Sequence, residues 1–178
     1  MQNLVLENSI IESILNQYKN VLKSDFPIYR NHVYRIFNFA LIKDSKEENM
    51  TKYAIAAAFH DIGIWTDSFD YLEPSIALAT EYLKKNEKEN LVKEISLMID
   101  NHHKRSIYKG DFKETAETFR RADWVDVVMR MSSFGFAKED YKRVQKQFSN
   151  KGFHWFLMKQ SFKYFLKHPF NPLPMFKK

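Results

Sequence analysis

Three short stretches of the chain carry side chains able to hold a cation or move a proton. They are His32, the pair His60-Asp61 within Ala-Phe-His-Asp-Ile-Gly, and Asp123 within Arg-Ala-Asp-Trp-Val-Asp. Each sits where helical spacing puts an apolar residue. His32 lies one turn from both Ile28 and Ile36, His60 follows Ala56 and Ala57, and Asp123 falls between Phe119 and Val127. A lone imidazole on such a stripe is ordinarily a hydrogen-bonded core residue. A carboxylate there is different, because an unpaired buried charge is very costly. Asp61 and Asp123 therefore require positive partners. Arg35, Arg120 and Arg121 are candidates, and a divalent cation is the other solution. Two nitrogens and two carboxylates suit Mn²⁺, Fe²⁺, Co²⁺ or Zn²⁺, and the carboxylates also admit Mg²⁺.

Taken in order, His32, His60-Asp61 and a distant Asp123 resemble the H…HD…D signature of the HD-domain metal-dependent phosphohydrolase superfamily. The resemblance covers residues 27–131. It implies an all-α, HD-domain-like bundle of about six to eight helices. It also implies a divalent metal held by His32, His60, Asp61 and Asp123, and hydrolysis of a phosphoester or phosphoanhydride of a small molecule, with a nucleotide as the foremost candidate. Two-metal members of the superfamily add histidines between the HD pair and the last aspartate. Here His102-His103 resembles the late pair, but residues 62–101 contain no histidine. Glu73-Pro74 stands where some members have His-Pro, so Glu73 is a conceivable second-site ligand; an acidic residue favoured beside a helix N-terminus is the preferred reading. One metal per chain is expected rather than two, and the missing histidine argues against a di-iron oxygenase.

With one metal, His102 and His103 are free to protonate a leaving oxygen or bind a phosphoryl oxygen. Lys104 and Arg105 follow and can clamp an anion or simply complement a helix dipole. Asp67 and Asp70, after the HD pair, are candidates for orienting water. Trp65, Phe69 and Tyr71 can stack on a base or serve as core aromatics. His154 and His168, amid aromatic residues, are assigned structural packing. The glycines are isolated, at 63, 110, 135 and 152, so no glycine-rich phosphate loop is present, and no G-x-S-x-G elbow either.

The elements that must position these groups are helical. Apolar periodicity predicts a first helix over Leu4–Leu22, a second opened by Pro27, and a third over Tyr53–His60 closed by a left-handed Gly63. Residues 65–73 read as a loop. Pro74 opens a fourth helix, residues 84–90 turn, and helices over Leu91–His103 and Thr115–Met131 follow. Gly135 breaks the chain before one or two more helices within 138–168, and Pro169, Pro172 and Pro174 mark an extended tail. No segment alternates with period two.

The 178 residues read as a single domain, 1–178, with a basic, aromatic helical extension over 138–178 beyond the core. The chain has no cysteine, which excludes disulfides, thiolate metal sites and a cysteine nucleophile. No apolar run approaches a membrane span and the first residues lack a basic signal region, so no membrane association and a cytoplasmic location are expected. Residues 141–178 hold nine Lys/Arg and no acid, leaving 19 of the 28 basic residues against all 22 acidic ones in the first 140, a net of −3 there. That flank makes a nucleic-acid or phospholipid binding module on an HD bundle the alternative function. Packing of Phe148, Phe156, Phe162 and Phe165 onto the bundle is the preferred reading of the flank. The oligomeric state stays open.

Overall fold

Helix α3, Phe26–Lys43, is the axis of the molecule. The computed structural model describes residues 3–66 and 71–167. Pro27 sits in the first turn of α3, where its missing N–H leaves no bond unmade. Twelve of the helix's eighteen residues are buried, so apolar neighbours cover it all round rather than along one stripe. Those neighbours are α4, Glu47–Phe59, and α8, Lys113–Val127, with α9, Lys138–Gln147, and α10, Phe153–Lys167, closing the remaining sides. Before α3 come α1, Ser9–Gln17, which packs on α4, and the single turn α2, Lys19–Leu22. Between α4 and α8 lie the short α5, Gly63–Thr66, then α6, Leu72–Lys85, and α7, Val92–Asn101; α7 packs against α4, α6 and α8. The described residues contain no strand, and the fold is all-α.

Several boundaries differ from the periodic pattern, each for a local reason. The first helix begins at Ser9, not Leu4. Asn8 caps it, its side chain accepting from the Ile10 and Ile11 amides. The preceding residues stay extended because Asn38 on α3 takes up the backbone of Val5, accepting from its N–H at 2.8 Å and donating to its carbonyl at 3.0 Å. The third helix starts six residues earlier than expected, at Glu47. Residues 65 and 66, expected in a loop, belong to the turn α5.

Gly63 is not a left-handed cap, since positive φ among the glycines is confined to Gly135 and Gly152. It is required for close approach instead: a Cβ there would lie 2.3 Å from the Tyr71 carbonyl oxygen and 2.9 Å from Ser75 Oγ. The start of α6 thus rests directly on the backbone that follows the HD pair.

The basic C-terminal segment is built into the bundle in part. Val144, Phe148 and Phe153 are buried, and Phe156 stacks on Trp65 with ring centroids 4.8 Å apart. Phe162, expected to pack, is instead exposed, together with Trp155, Met158 and Leu166 along one face of α10. Packing therefore accounts for the inner side of this segment only. His168 and the proline-containing tail lie outside the described residues, and nothing is described of the Phe165 side chain. Among the described residues no helix is long and apolar enough to cross a membrane.

Candidate metal centre

Two pairs of residues spaced i, i+3 meet where α3 crosses α8. His32 and Arg35 come from α3, and Asp123 and Asp126 from α8. From the other side α4 ends at His60, whose N–H bonds the Ala56 carbonyl, and Asp61 follows in the turn before α5. The small residues Ala56, Ala57 and Ala58 line this end of α4 and are fully buried. The C-cap of α7 brings in His102.

The ring nitrogens fix what this cluster can do. His32 Nδ1 lies 2.8 Å from Asp126 Oδ2, His60 Nδ1 2.8 Å from the Ala57 carbonyl, and His102 Nδ1 2.5 Å from the Ile99 carbonyl. Each Nδ1 faces an acceptor and so carries the proton, which leaves each Nε2 with a lone pair directed into the cluster. There the Nε2 atoms of His32 and His60 are 3.1 Å apart. His60 Nε2 is 3.3 Å from Asp61 Oδ2, and His102 Nε2 is 3.4 Å from Asp61 Oδ1. Asp123 Oδ1 is 3.6 Å from His32 Nε2 and 3.9 Å from His60 Nε2. Asp61 Oδ1 and Asp123 Oδ1 are buried without a hydrogen-bond partner.

Three imidazole lone pairs and two carboxylates are acceptors facing acceptors, an arrangement that only protons or a cation can satisfy. Without a cation the protons go to the imidazole. Burial pushes His60 down, but Asp61 and then Asp123 draw it up to about 9. Burial likewise raises Asp61, and His60, His102 and His32 outweigh it and hold it well below the usual carboxylate range. Burial prevails at Asp123, which is raised.

The donor set fits a divalent ion. Nitrogen and oxygen ligands about 2.1 Å from a common ion lie roughly 3–3.5 Å from one another, close to the separations found. Two overlapping trios meet the spacing a metal needs: His32, His60 and Asp123, and His60, Asp61 and His102.

None of the three arginines considered as partners neutralises these carboxylates. Arg35 binds Asp126 through two nitrogens, Nε to Oδ1 at 2.7 Å and Nη2 to Oδ2 at 2.8 Å. Arg120 and Arg121 both turn to Glu117. Of the two solutions the sequence left open, the arginine one is removed.

The same HD arrangement is found by family comparison: the HD domain family matches residues 29–128. The chain belongs to the HD domain family. That span contains His32, His60, Asp61, His102 and Asp123, and it ends just after α8, so α9 and α10 lie beyond it. No curated protein and no solved structure gave a significant match.

This HD domain is completed by residues the sequence did not single out. Asp126, fully buried, orients His32 through Nδ1 and also accepts from Gln145 Nε2 at 2.8 Å. Burial would raise its carboxyl, but Arg35 and His32 hold it well below the usual range. Phe153 of α10 stacks on the His32 ring with centroids 3.7 Å apart. His154, expected only to pack, places Nε2 2.9 Å from the Asp126 carbonyl. The signal for Asp126 was its i+3 spacing from Asp123; for Phe153 the sequence holds none.

The other candidates separate. His103 lies beside His102 with its Nδ1 buried and unpartnered, and burial, followed by the neighbouring His102, lowers its pKa to about 3. It is therefore a neutral ring near pH 7, not a proton-charged acid. Tyr71 is at the site, its hydroxyl 3.3 Å from His102 Nε2, and so acts at a histidine rather than as an open stacking platform. Glu73 is exposed in the first turn of α6 and belongs to neither trio, in keeping with a helix N-terminal acid. Lys104 is engaged by Asp100, Nζ to Oδ2 2.6 Å, rather than directed at the cluster. Trp65 is tied down by Asp25, which accepts from Nε1 at 3.0 Å, and by Phe156. Asp67, Phe69 and Asp70 lie outside the described residues.

Proposed function

We propose that this HD domain is a metal-dependent phosphohydrolase that cleaves a phosphoester or phosphoanhydride of a small molecule, with nucleotides the first substrates to test. One observation carries the reading: three Nε2 lone pairs and two carboxylates converge, with no arginine or lysine of the described residues among them. His32, His60, Asp61 and Asp123 would hold the ion, with His102 as a fifth ligand rather than a leaving-group acid. A divalent ion in such a site lowers the pKa of water and polarises a phosphoryl oxygen. We favour one ion per chain. His60 Nδ1 is committed to the Ala57 carbonyl, so its single remaining lone pair is shared by both trios, which cannot then be two independent sites.

The protein's own groups supply the rest. His32 and His60 are completely enclosed, while Asp61, Asp123 and His103 keep the small exposure of the cluster. Substrate would therefore approach across the carboxylates and His103. A neutral His103 can donate or accept a hydrogen bond at a phosphoryl or leaving oxygen, and the Ile99 carbonyl holds His102 in place through Nδ1. The alternative, a binding module for nucleic acid or phospholipid, has the exposed apolar face of α10 in its favour, but it gives no reason to bury five ionisable acceptors together. Phosphate release from a panel of nucleoside mono-, di- and triphosphates, with Mn²⁺, Co²⁺, Zn²⁺ or Mg²⁺ added to chelator-treated protein, tests the reading. Metal-restored turnover that Asp123→Asn abolishes is expected; no turnover with any of these metals would favour the binding module.

A further inference from the structure

On the far side of α8 from the metal centre is a second feature that the hydrolase reading does not use. A cleft of about 630 Å³ opens there, walled by the end of α3 at Lys43, the turn at Tyr108 and Lys109, and the first half of α8, where Lys113, Glu117 and Arg121 share a face. Glu117 and Asp126 are nine residues apart, which at 3.6 residues per turn is two and a half turns. The cleft and the metal centre thus lie on opposite faces of one helix.

Its charge is unbalanced. Among the described residues Lys109 and Lys113 make no hydrogen bond or ion pair, and both are exposed. The two acids of the wall do not offset them. Glu117 is consumed by Arg120 and Arg121, and Glu114 stands 3.9 Å from Lys46 as an exposed pair. Arg121 is fixed by its Nε, 2.9 Å from Glu117 Oε1, while no bond among the described residues uses its Nη1 or Nη2. A guanidinium anchored at one edge presents its other edge as a ready fork for a phosphate. Lys43 is held at the rim by the Gly135 carbonyl, with its ammonium 4.7 Å over the Phe136 ring. The half-buried Tyr108 adds an aromatic wall.

We propose that this cleft is a binding site for a small molecule carrying two or more phosphate groups, separate from the metal centre. The volume is of the size that encloses a small ligand and exceeds what one phosphate fills. The cations also converge from three elements on one space instead of tracking along a surface, which favours a compact polyanion over a nucleic-acid backbone.

Calorimetric titration of the full chain with inorganic tripolyphosphate, with no metal added, tests the site. The variants are Lys109→Ala/Lys113→Ala, Arg121→Lys and, at the metal centre, Asp123→Asn. Binding that weakens at least tenfold in the first two, persists in Asp123→Asn and falls with salt is expected. Arg121→Lys keeps the charge and loses the fork, so it separates recognition from simple attraction. The lysines are unpaired and exposed, so their variant should melt with the wild type and lose only the stabilisation that tripolyphosphate confers. Binding unchanged in both cleft variants, or abolished by Asp123→Asn alone, would overturn the proposal. So would no binding at millimolar probe, or tighter binding of a single-stranded oligonucleotide that the same variants abolish.

Discussion

Asp126 joins the metal centre to the hydrophobic core: in full burial it accepts from His32 Nδ1 and from Nε and Nη2, one edge of the Arg35 guanidinium. Asp126→Asn should weaken metal binding about 10–100-fold by releasing the orientation of His32. It should also lower stability by about 3–5 kcal/mol, because it leaves Arg35 as an uncompensated buried charge. Metal titration and urea unfolding of the same variant separate the two effects. The neighbouring histidines should behave differently from each other. His102→Ala is expected to reduce metal content, whereas His103→Ala should keep the metal and lower kcat by about 10²–10³-fold, the loss of one hydrogen bond to developing charge; equal metal loss in both would make His103 a ligand. His32, His60 and Asp123 were legible in the sequence because each interrupts an apolar stripe, and Asp61 because it stands beside His60. His102 was legible as half of a late histidine pair, but read as a proton donor in the one-metal form, since the direction of its Nε2 depends on the Ile99 carbonyl. Phe153 was illegible because its contact with His32 joins residues more than a hundred positions apart.

The helices deliver these residues only if their junctions hold, and one close junction is the contact of Gly63 with the start of α6. Gly63→Ala would place a methyl group 2.3 Å from the Tyr71 carbonyl oxygen, backbone that cannot rotate away. A destabilisation of about 1–3 kcal/mol is expected from such overpacking, read as a lower urea midpoint. Because Tyr71 meets His102, a fall in metal affinity should accompany it; an unchanged midpoint would mean that α6 moves freely against the turn after the HD pair. The existence and type of the longer helices followed from periodicity, while their ends and the single turns α2 and α5 did not. The start of α1 depends on Asn8 and on Asn38 of another helix capturing Val5, a contact that no local pattern contains. Gly63 was read as a cap because glycine after a helix commonly is one, and the close approach of residue 71 is a tertiary fact.

Across the whole molecule, buried carboxylates set the response to acid. Burial raises Asp126 and Glu117, but guanidinium partners outweigh it, Arg35 at Asp126 and Arg120 with Arg121 at Glu117, and both end below their ordinary values of 3.8 and 4.5. A depressed folded pKa contributes stability that is complete above the unfolded value and lost as pH falls through the folded one. Urea midpoints should therefore fall steeply below about pH 4 for these groups; a flat profile from pH 5 to 2.5 would contradict their pairing. The largest unbalanced feature remains the cluster of His32, His60, Asp61, His102 and Asp123, in which acceptors face acceptors. Its most direct test is the divalent metal content of the purified chain by elemental mass spectrometry, with the melting temperature followed as metal is removed and restored. One ion per chain is expected, absent from Asp61→Ala, with melting lowered by chelation and recovered on adding metal back. A chain that takes up no divalent ion when metal is supplied, and melts identically with and without chelator, would contradict a metal centre at this site.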